Sequence, residues 1–138
     1  MILDTNALLW SVIGDTSKVS REVQAEIDAR VSTGDAAVSA ITFWEMRHAR
    51  RKSNPAVALP PIAGLRQDLL RSGLREIPLT GDILINGIEL SDSGFHDDPM
   101  DQMIVATALS ANLPLATADH RIRAWADQTG RLEIVPLR

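Results

Sequence analysis

The sequence predicts an α/β fold, in which a mostly parallel sheet carries helices on both faces. Short apolar runs alternate with amphipathic helical stretches along the chain, as in strand–helix–strand units with right-handed crossovers. The length of 138 residues suits one domain, and no internal repeat or low-complexity linker divides the chain. We therefore expect residues 1–138 to form a single domain.

The first part of the chain alternates between the two kinds of element. MILD (1–4) is a short apolar run and predicts a strand, and NALLWSVI (6–13) predicts a helix. SREVQAEIDARVS (20–32) is amphipathic and predicts a second helix, and AAVS (36–39) predicts the next strand.

The middle of the chain is mostly helical. TFWEMRHARRK (42–52) and PIAGLRQDLLRS (61–72) predict helices, joined by SNPAVALPP (53–61), which is too short to separate domains. LREIPL (74–79) predicts a strand, and GDILINGIELS (81–91) predicts the helix that follows it.

The last part returns to strict alternation. PMDQMIVATALSA (99–111) predicts a well-marked helix, and PLAT (114–117) a strand. HRIRAWADQTG (120–130) predicts the final helix, and LEIVPL (132–137) the last strand.

Composition excludes several classes of protein. There is no cysteine, so disulfides, zinc–thiolate sites and thiol nucleophiles are excluded. No apolar run approaches the ~20 residues of a membrane span. The start, MILDTN, lacks the basic and apolar regions of a secretory signal. We expect a soluble, cytoplasmic protein with no membrane partner.

The charge is mildly acidic overall but uneven. Fourteen basic and 18 acidic residues give a net charge of -4, which does not by itself indicate a nucleic-acid-binding protein. Residues 47–52 nevertheless read RHARRK, a basic run that contains Arg47, Arg50, Arg51 and Lys52. Such a run is either a solvated helix face or a contact surface for RNA or an acidic partner, and both interpretations stay open.

Acidic residues are predicted to meet at one edge of the sheet. Asp4 ends the first strand, Glu45 lies in the first turn of the helix after the second, and Asp119 follows the 114–117 strand. Strand ends and the starts of the following helices share one edge of an open parallel sheet, where ligands bind in the crevice. Asp101 joins these three if the 99–111 helix also starts at that edge.

Each of these acids except Asp4 has a structural alternative. Asp98 before Pro99 fits an N-cap followed by proline, which would put Asp101 where a carboxylate favours the helix dipole. Thr42-Phe-Trp-Glu45 fits a capping box, and Asp119 fits the N-cap of the last helix. Capping is the better interpretation for Asp98, while both interpretations stay open for Glu45, Asp101 and Asp119.

Asp4 favours a metal site. It follows Ile2 and Leu3 out of a strand near the core, where an ionised carboxylate costs several kcal/mol unless it is paired. No lysine or arginine is close to it in sequence. A divalent cation would compensate Asp4 and relieve the repulsion among four carboxylates. Oxygen ligands without cysteine favour a hard ion, Mg²⁺ or Mn²⁺, which suits phosphodiester hydrolysis by an activated water.

Five segments of the chain resemble, in order, the sequence blocks of PIN-domain ribonucleases, most of all the VapC-type toxins of toxin–antitoxin pairs. The segments are DTNALLW (4–10), SAITFWE (39–45), IPLTGD (77–82), HDDPMDQMIVATA (96–108) and LATADHRI (115–122). The resemblance covers nearly the whole chain. It implies a single PIN domain with a three-layer fold, in which helices flank a mostly parallel sheet of about five strands.

The resemblance also implies an activity and partners. It implies RNA cleavage dependent on Mg²⁺ or Mn²⁺ at Asp4, Glu45, Asp101 and Asp119, with 3′-hydroxyl and 5′-phosphate products. Asp4 and Asp101 would ligate the main ion, Asp119 would help to hold it or a second ion, and Glu45 would orient the attacking water or act as an outer ligand. A cognate antitoxin and a homodimer are the partners that the family implies.

Other residues are expected to support that site. Asn6 and Thr117 match small polar positions beside the acids, and Asp98 is expected to cap the helix that places Asp101. Two positions depart from the family pattern: Gln102 replaces a frequent arginine and leaves the substrate contacts open, and Met100 replaces a phenylalanine.

The histidines and tryptophans are expected to have structural positions and no part in the chemistry. His96 is expected to be a loop residue rather than a ligand, and His48 and His120 to be surface residues. The three tryptophans, Trp10, Trp44 and Trp125, occupy apolar helical positions and are expected in the core.

Three functions remain in competition. The first is a metal-dependent endoribonuclease. The second is a Mg²⁺-dependent DNA nuclease or phosphatase on a related α/β scaffold. The third is a PIN-like module that docks RNA or protein with little catalysis.

Overall fold

The chain folds around a parallel sheet, which confirms the α/β prediction. The structure, a computed structural model, describes residues 1–51 and 59–138. The strands of that part are β1 (Ile2–Leu3), β2 (Ala37–Ser39), β3 (Arg75–Ile77), β4 (Leu115–Ala116) and β5 (Ile134–Val135). They form one sheet in the order β3-β2-β1-β4-β5, and every pairing is parallel. The strands are shorter than the sequence predicts.

Seven α-helices connect these strands within the described residues. They are α1 (Thr5–Ile13), α2 (Arg21–Thr33), α3 (Ile41–Arg51), α4 (Ile62–Arg71), α5 (Gly81–Glu89), α6 (Pro99–Ala111) and α7 (His120–Thr129). The predicted 81–91 helix ends as an α-helix at Glu89, and a 3₁₀ turn (Leu90–Ser93) follows. Lys52, residues 53–58 of the predicted loop and the side chain of Arg51 lie outside the described residues. In the described part, no helix is both long and apolar enough to cross a membrane.

Helices pack on both faces of the sheet because the side chains of its strands alternate. Leu3 points into a core with residues of α1 to α4, including Leu8, Ile27 and Met46. Its neighbour Ile2 points into a second core built mainly with α6 and α7. Alternation along an extended strand makes both faces apolar, so the sheet is the middle of three layers.

The order of the strands creates a crevice beside β1. The chain steps from β1 to β2 to β3 in one direction and then returns to place β4 on the other side of β1. In open parallel sheets, ligand sites lie at such a reversal, outside the carboxyl ends of the strands. Asp4 directly follows β1 and Thr117 directly follows β4, so both lie at this crevice.

Candidate active site

Asp4 is the buried centre of the crevice. Asp4 is only 7 % exposed, and its Oδ1 accepts a hydrogen bond of 2.6 Å from the backbone N–H of Ala7. Asp4 therefore caps α1, a capping role that the sequence analysis did not assign to it. Burial raises the pKa of Asp4 to about 6, although hydrogen bonds from the Thr117 hydroxyl and the Ala7 N–H oppose the rise.

Glu45 faces the same crevice from α3. Its Oε1 accepts a hydrogen bond of 2.5 Å from the hydroxyl of Thr5, which lies 3.2 Å from the hydroxyl of Thr42. Burial raises the pKa of Glu45; the Thr5 hydrogen bond opposes the rise, and neighbouring carboxylates add to it. The capping-box alternative is wrong, because α3 begins at Ile41 and Thr42 is a buried residue inside the helix.

Asp98 and Asp101 lie together at the start of α6. Asp98 caps the helix, as the sequence predicts, since Oδ1 accepts from the backbone N–H groups of Met100 at 3.0 Å and Asp101 at 3.3 Å. Asp101 Oδ2 lies 2.7 Å from Nε2 of His96. Burial raises the pKa of Asp101; the His96 hydrogen bond opposes this, and Asp98 and Asp119 reinforce it. The start of α6 thus lies at the same edge as the other acids.

Asp119 caps α7 and faces Asp101. Its Oδ1 accepts from the backbone N–H groups of Arg121 at 2.8 Å and Ile122 at 3.1 Å, while its own N–H donates to Thr117 Oγ1 at 3.0 Å. Burial raises the pKa of Asp119, but the two backbone hydrogen bonds and the Arg121 guanidinium outweigh burial and hold that pKa below its ordinary value.

Arg121 is a site residue that the sequence analysis missed. Its Nη2 lies 3.4 Å from Asp101 Oδ2, 3.7 Å from Asp119 Oδ2 and 4.0 Å from Asp98 Oδ2. The side chain is 48 % exposed, so water screens these pairs in part. The sequence signal was the basic residue two positions after Asp119, within the first turn of α7.

The contacts of three further residues beside the acids were also missed. His96 does lie in a loop, as expected, but it contacts Asp101, five residues later in the chain. Gln102 is buried, and its Nε2 donates at 3.1 Å to the backbone carbonyl of His96. Gln102, which stands where the family often has an arginine, therefore holds the loop of His96 in place from the buried side. Thr5, which directly follows Asp4 in the sequence, supplies the hydroxyl that donates a hydrogen bond to Glu45.

The remaining predicted residues lie at varying distances from the crevice. Thr117 is fully buried beside Asp4, as predicted, whereas Asn6 is exposed near the start of α1. Arg47 is exposed on α3. Arg50 is half-buried, and its Nε donates at 3.1 Å to the carbonyl of Leu59.

Trp44 contradicts the expectation that the tryptophans lie in the core. Trp125 is buried and Trp10 packs against the first core, but Trp44 is 56 % exposed. Its ring stacks on His48, with centroids 5.1 Å apart and planes 9° from parallel. The expectation was wrong because apolar spacing along a helix does not reveal which side another element covers.

The chemistry of these donors fits a hard divalent cation. The acids provide oxygen ligands, Asp4 is buried with a raised pKa, and burial together with neighbouring carboxylates raises the pKa values of Glu45 and Asp101. As placed, however, no three acidic or histidine side chains of the described residues converge closely enough to hold an ion. Asp101 and Asp119 face Arg121 instead, and Glu45 faces Thr5. For these acids to share one cation, their side chains would have to rotate away from these partners.

Comparisons with known proteins agree with the fold. The family model described as PIN domain matches residues 1–128. A curated relative, "Ribonuclease VapC22" of Mycobacterium tuberculosis, is 27% identical over 124 residues, which is 90% of each chain.

Two solved structures show the same fold at low identity. One is VapBC2 from Rickettsia felis bound to a DNA fragment from its promoter, with a TM-score of 0.67, 17% identity, and 99% of this chain and 98% of that chain covered. The other is DNA-bound VapBC from Salmonella typhimurium, with a TM-score of 0.70, 20% identity, and 99% and 97% covered.

Proposed function

Because the PIN-domain model matches residues 1–128, this chain belongs to the PIN-domain family, and we propose that it is a VapC-type endoribonuclease dependent on Mg²⁺ or Mn²⁺. The proposal treats residues 1–138 as one PIN domain. The relative named as a ribonuclease supports the activity. The observation that carries it is the meeting of Asp4, Glu45, Asp101 and Asp119, from four separate segments, at one edge of the sheet around a buried carboxylate.

Asp4, Asp101 and Asp119 would hold the ion, with Glu45 beside them. When bound, the ion supplies positive charge that activates a water and stabilises the leaving oxygen. The protein groups position these carboxylates: Thr117 and the Ala7 N–H hold Asp4, His96 holds Asp101, and the backbone of α7 holds Asp119.

Glu45 is assigned to the attacking water. The Thr5 hydroxyl occupies one of its oxygens and fixes the carboxylate, while the second oxygen remains to accept a hydrogen bond from water. Burial raises the pKa of Glu45 and makes it a stronger proton acceptor than an exposed glutamate. Attack of this water on the phosphorus, with one proton passing to Glu45, and departure of the 3′-oxygen, which takes a proton from solvent water, would give a 3′-hydroxyl and a 5′-phosphate.

The proposal includes two protein partners. The solved VapBC structures are toxin–antitoxin relatives of this fold, and by analogy we assign a cognate antitoxin to this chain. We also propose a homodimer through α5. Its residues Leu84, Ile85 and Ile88 are exposed and lie on one side of the helix, which leaves an apolar face that a second copy would cover.

One observation favours the alternative of a catalytically weak docking module. Arg121 already neutralises part of the charge on Asp98, Asp101 and Asp119, so the acids are held without an ion. In such a module RNA affinity would remain while cleavage was absent.

The test is cleavage of end-labelled total RNA by protein purified free of antitoxin. Reactions contain Mn²⁺, Mg²⁺ or EDTA, and Asp4→Asn protein is assayed beside the wild type. Metal-dependent fragments that are absent with Asp4→Asn are the expected result. DNA and a phosphomonoester are tested in parallel, and cleavage of these in place of RNA would favour the DNA nuclease or phosphatase. Folded protein that binds RNA but cuts nothing would favour the docking module.

A further inference from the structure

Trp44 and His48 form an exposed aromatic pair on α3. They are four residues apart, so they lie one above the other on the same side of the helix. Their rings are stacked nearly parallel, with centroids 5.1 Å apart. Trp44 remains 56 % exposed in spite of this stack, and His48 is exposed as well. Packing in the core does not account for so exposed a tryptophan, because the residues of α3 that enter the first core are Phe43 and Met46.

The pair lies next to Glu45 around the helix. With about 100° per residue, His48 is about 60° from Glu45 and Trp44 about 100° from it. Both angles turn to the same side, away from Phe43 and Met46. A chain that crosses this side of α3 would therefore pass from the aromatic pair to the acidic crevice within the width of one helix.

An exposed cation adjoins the pair. Arg47 is exposed on α3, about 60° around the helix from Trp44 on the side away from Glu45, and the sequence continues as a basic run after it. Among the described residues, the large exposed aliphatic side chains lie elsewhere: Ile13 is on α1, and Leu84, Ile85 and Ile88 are on α5. An apolar protein helix would find few aliphatic contacts here. A polyanion with flat aromatic faces matches both the charge and the rings.

From this placement we propose that Trp44 and His48 form a stacking surface for an unpaired base of the RNA substrate, with Arg47 contacting its backbone. The proposal rests on the proposed ribonuclease function and specifies its substrate. A base inside a duplex has both faces covered by its neighbours, whereas a base in a loop or single strand can stack on an aromatic side chain. The substrate is therefore RNA that is unpaired beside the cleaved bond.

The binding test uses protein with Asp101→Asn, so that the RNA stays intact. The probe is a short unpaired oligoribonucleotide that carries one 2-aminopurine, whose fluorescence falls when the base stacks. Trp44→Ala is expected to weaken binding about fivefold or more and to abolish the fall in fluorescence, since one base–aromatic stack is worth at least about that factor. Trp44→Phe is expected to keep most of the binding affinity and most of the fall in fluorescence. Ile13→Ala, which also removes an exposed apolar side chain, is the matched control and is expected to change neither.

A second pair of variants tests the backbone contact. Arg47→Ala is expected to weaken binding and to lower the salt dependence by about one unit of log–log slope, as for one lost phosphate contact. Arg71→Ala is the control, because Arg71 is an exposed arginine at the end of α4, on the opposite edge of the sheet.

Failure of the stacking surface is distinguishable from failure of the nuclease. Unchanged binding by Trp44→Ala, or an equal loss on a fully duplexed probe, overturns the stacking surface even if the wild type cleaves RNA. A defect of Trp44→Ala confined to antitoxin binding or self-association also overturns it, since the pair is then a protein contact. Trp44-dependent stacking by a protein that cleaves no RNA supports the surface and overturns only the nuclease.

Discussion

Nη2 of Arg121 lies 3.4 Å from Oδ2 of Asp101, the same oxygen that His96 Nε2 contacts at 2.7 Å. One carboxylate oxygen of the proposed metal site is thus shared by a cationic side chain and an imidazole. Arg121 supplies part of the positive charge that the acids need when no ion is bound. A metal ion bound at the proposed site would therefore compete with the guanidinium for the same carboxylates.

Substitution Arg121→Gln is expected to strengthen metal binding. Exposed ion pairs contribute about 0.2–1 kcal/mol, so removal of this competitor should raise the affinity for Mn²⁺ up to about fivefold. Calorimetric titration with Mn²⁺ measures this directly. Arg123→Gln, which changes another exposed arginine of α7, is the control. Unchanged or weaker Mn²⁺ binding by Arg121→Gln would show that the guanidinium does not compete.

Asp4→Asn is expected to stabilise the protein in EDTA at neutral pH. The pKa of Asp4 rises from 3.8 to about 6 on folding. Below the lower value both states are protonated and the carboxyl costs nothing. As the pH rises between the two values, the unfolded chain loses its proton first and the free energy of unfolding falls. Above the folded pKa the cost is fully present, on the order of 3 kcal/mol.

Urea unfolding of wild type and Asp4→Asn measures this cost. The variant keeps a side-chain oxygen that can cap α1, so the comparison isolates the charge. Its advantage should shrink toward about pH 4 and disappear below that value. Asp68→Asn, at an exposed aspartate, is the control. An Asp4→Asn protein less stable than wild type at neutral pH in EDTA would contradict the desolvation of Asp4.

Asp98→Asn and Asp101→Asn are expected to separate capping from catalysis. Asparagine caps helices about as well as aspartate, so Asp98→Asn should retain substantial RNA cleavage and near-normal stability. Asp101→Asn removes a charged ligand and should abolish both cleavage and Mn²⁺ binding. Cleavage and Mn²⁺ titration are measured on both proteins. Complete loss in both would assign Asp98 to direct contact with the ion.

Gln102→Met is expected to lower both stability and activity. Methionine fills a similar volume but cannot donate to the carbonyl of His96, and loss of one such hydrogen bond costs about 1 kcal/mol. The His96 ring would then be held less firmly beside Asp101, and RNA cleavage should fall. Urea unfolding and initial rates give the two readouts. Gln128→Met, at an exposed glutamine of α7, is the control, and an unaltered Gln102→Met protein would show that this bond is dispensable.

Ile88→Asp is expected to separate the proposed homodimer into monomers. Ile88 is 64 % exposed on α5, so the change places a charge in the dimer contact without altering the core. Size-exclusion chromatography with light scattering gives the mass of each species. Ile13→Asp, at an exposed position on α1, should leave the dimer intact. A monomeric wild type, or a dimeric Ile88→Asp protein, would exclude α5 as the contact.

Most of the fold was predictable because its signals are local. Each strand is a short apolar run, and each helix has its own apolar spacing and caps, such as Asp98 before Pro99. The edge shared by Asp4, Glu45 and Asp119 followed from the topology of a parallel sheet without any coordinate. The capping of α1 by Asp4 was missed. Asp4 is both buried and the N-cap of α1, and the burial expected at the end of a central strand already accounted for an aspartate at this position.

The sequence by itself determined the α/β class, the positions of the elements and the sheet edge that Asp4, Glu45 and Asp119 share, whereas the placement of Asp101 at that edge depended on where α6 starts. Only the tertiary structure decided which groups contact those acids. Thr5 and Glu45 are 40 residues apart, and Asp101 and Arg121 are 20 apart. Such pairs meet because of the strand order and the packing of helices against one another, and periodicity within a segment carries no information about a partner in another. The exposure of Trp44 has the same origin, since it depends on which neighbouring helices cover each side of α3.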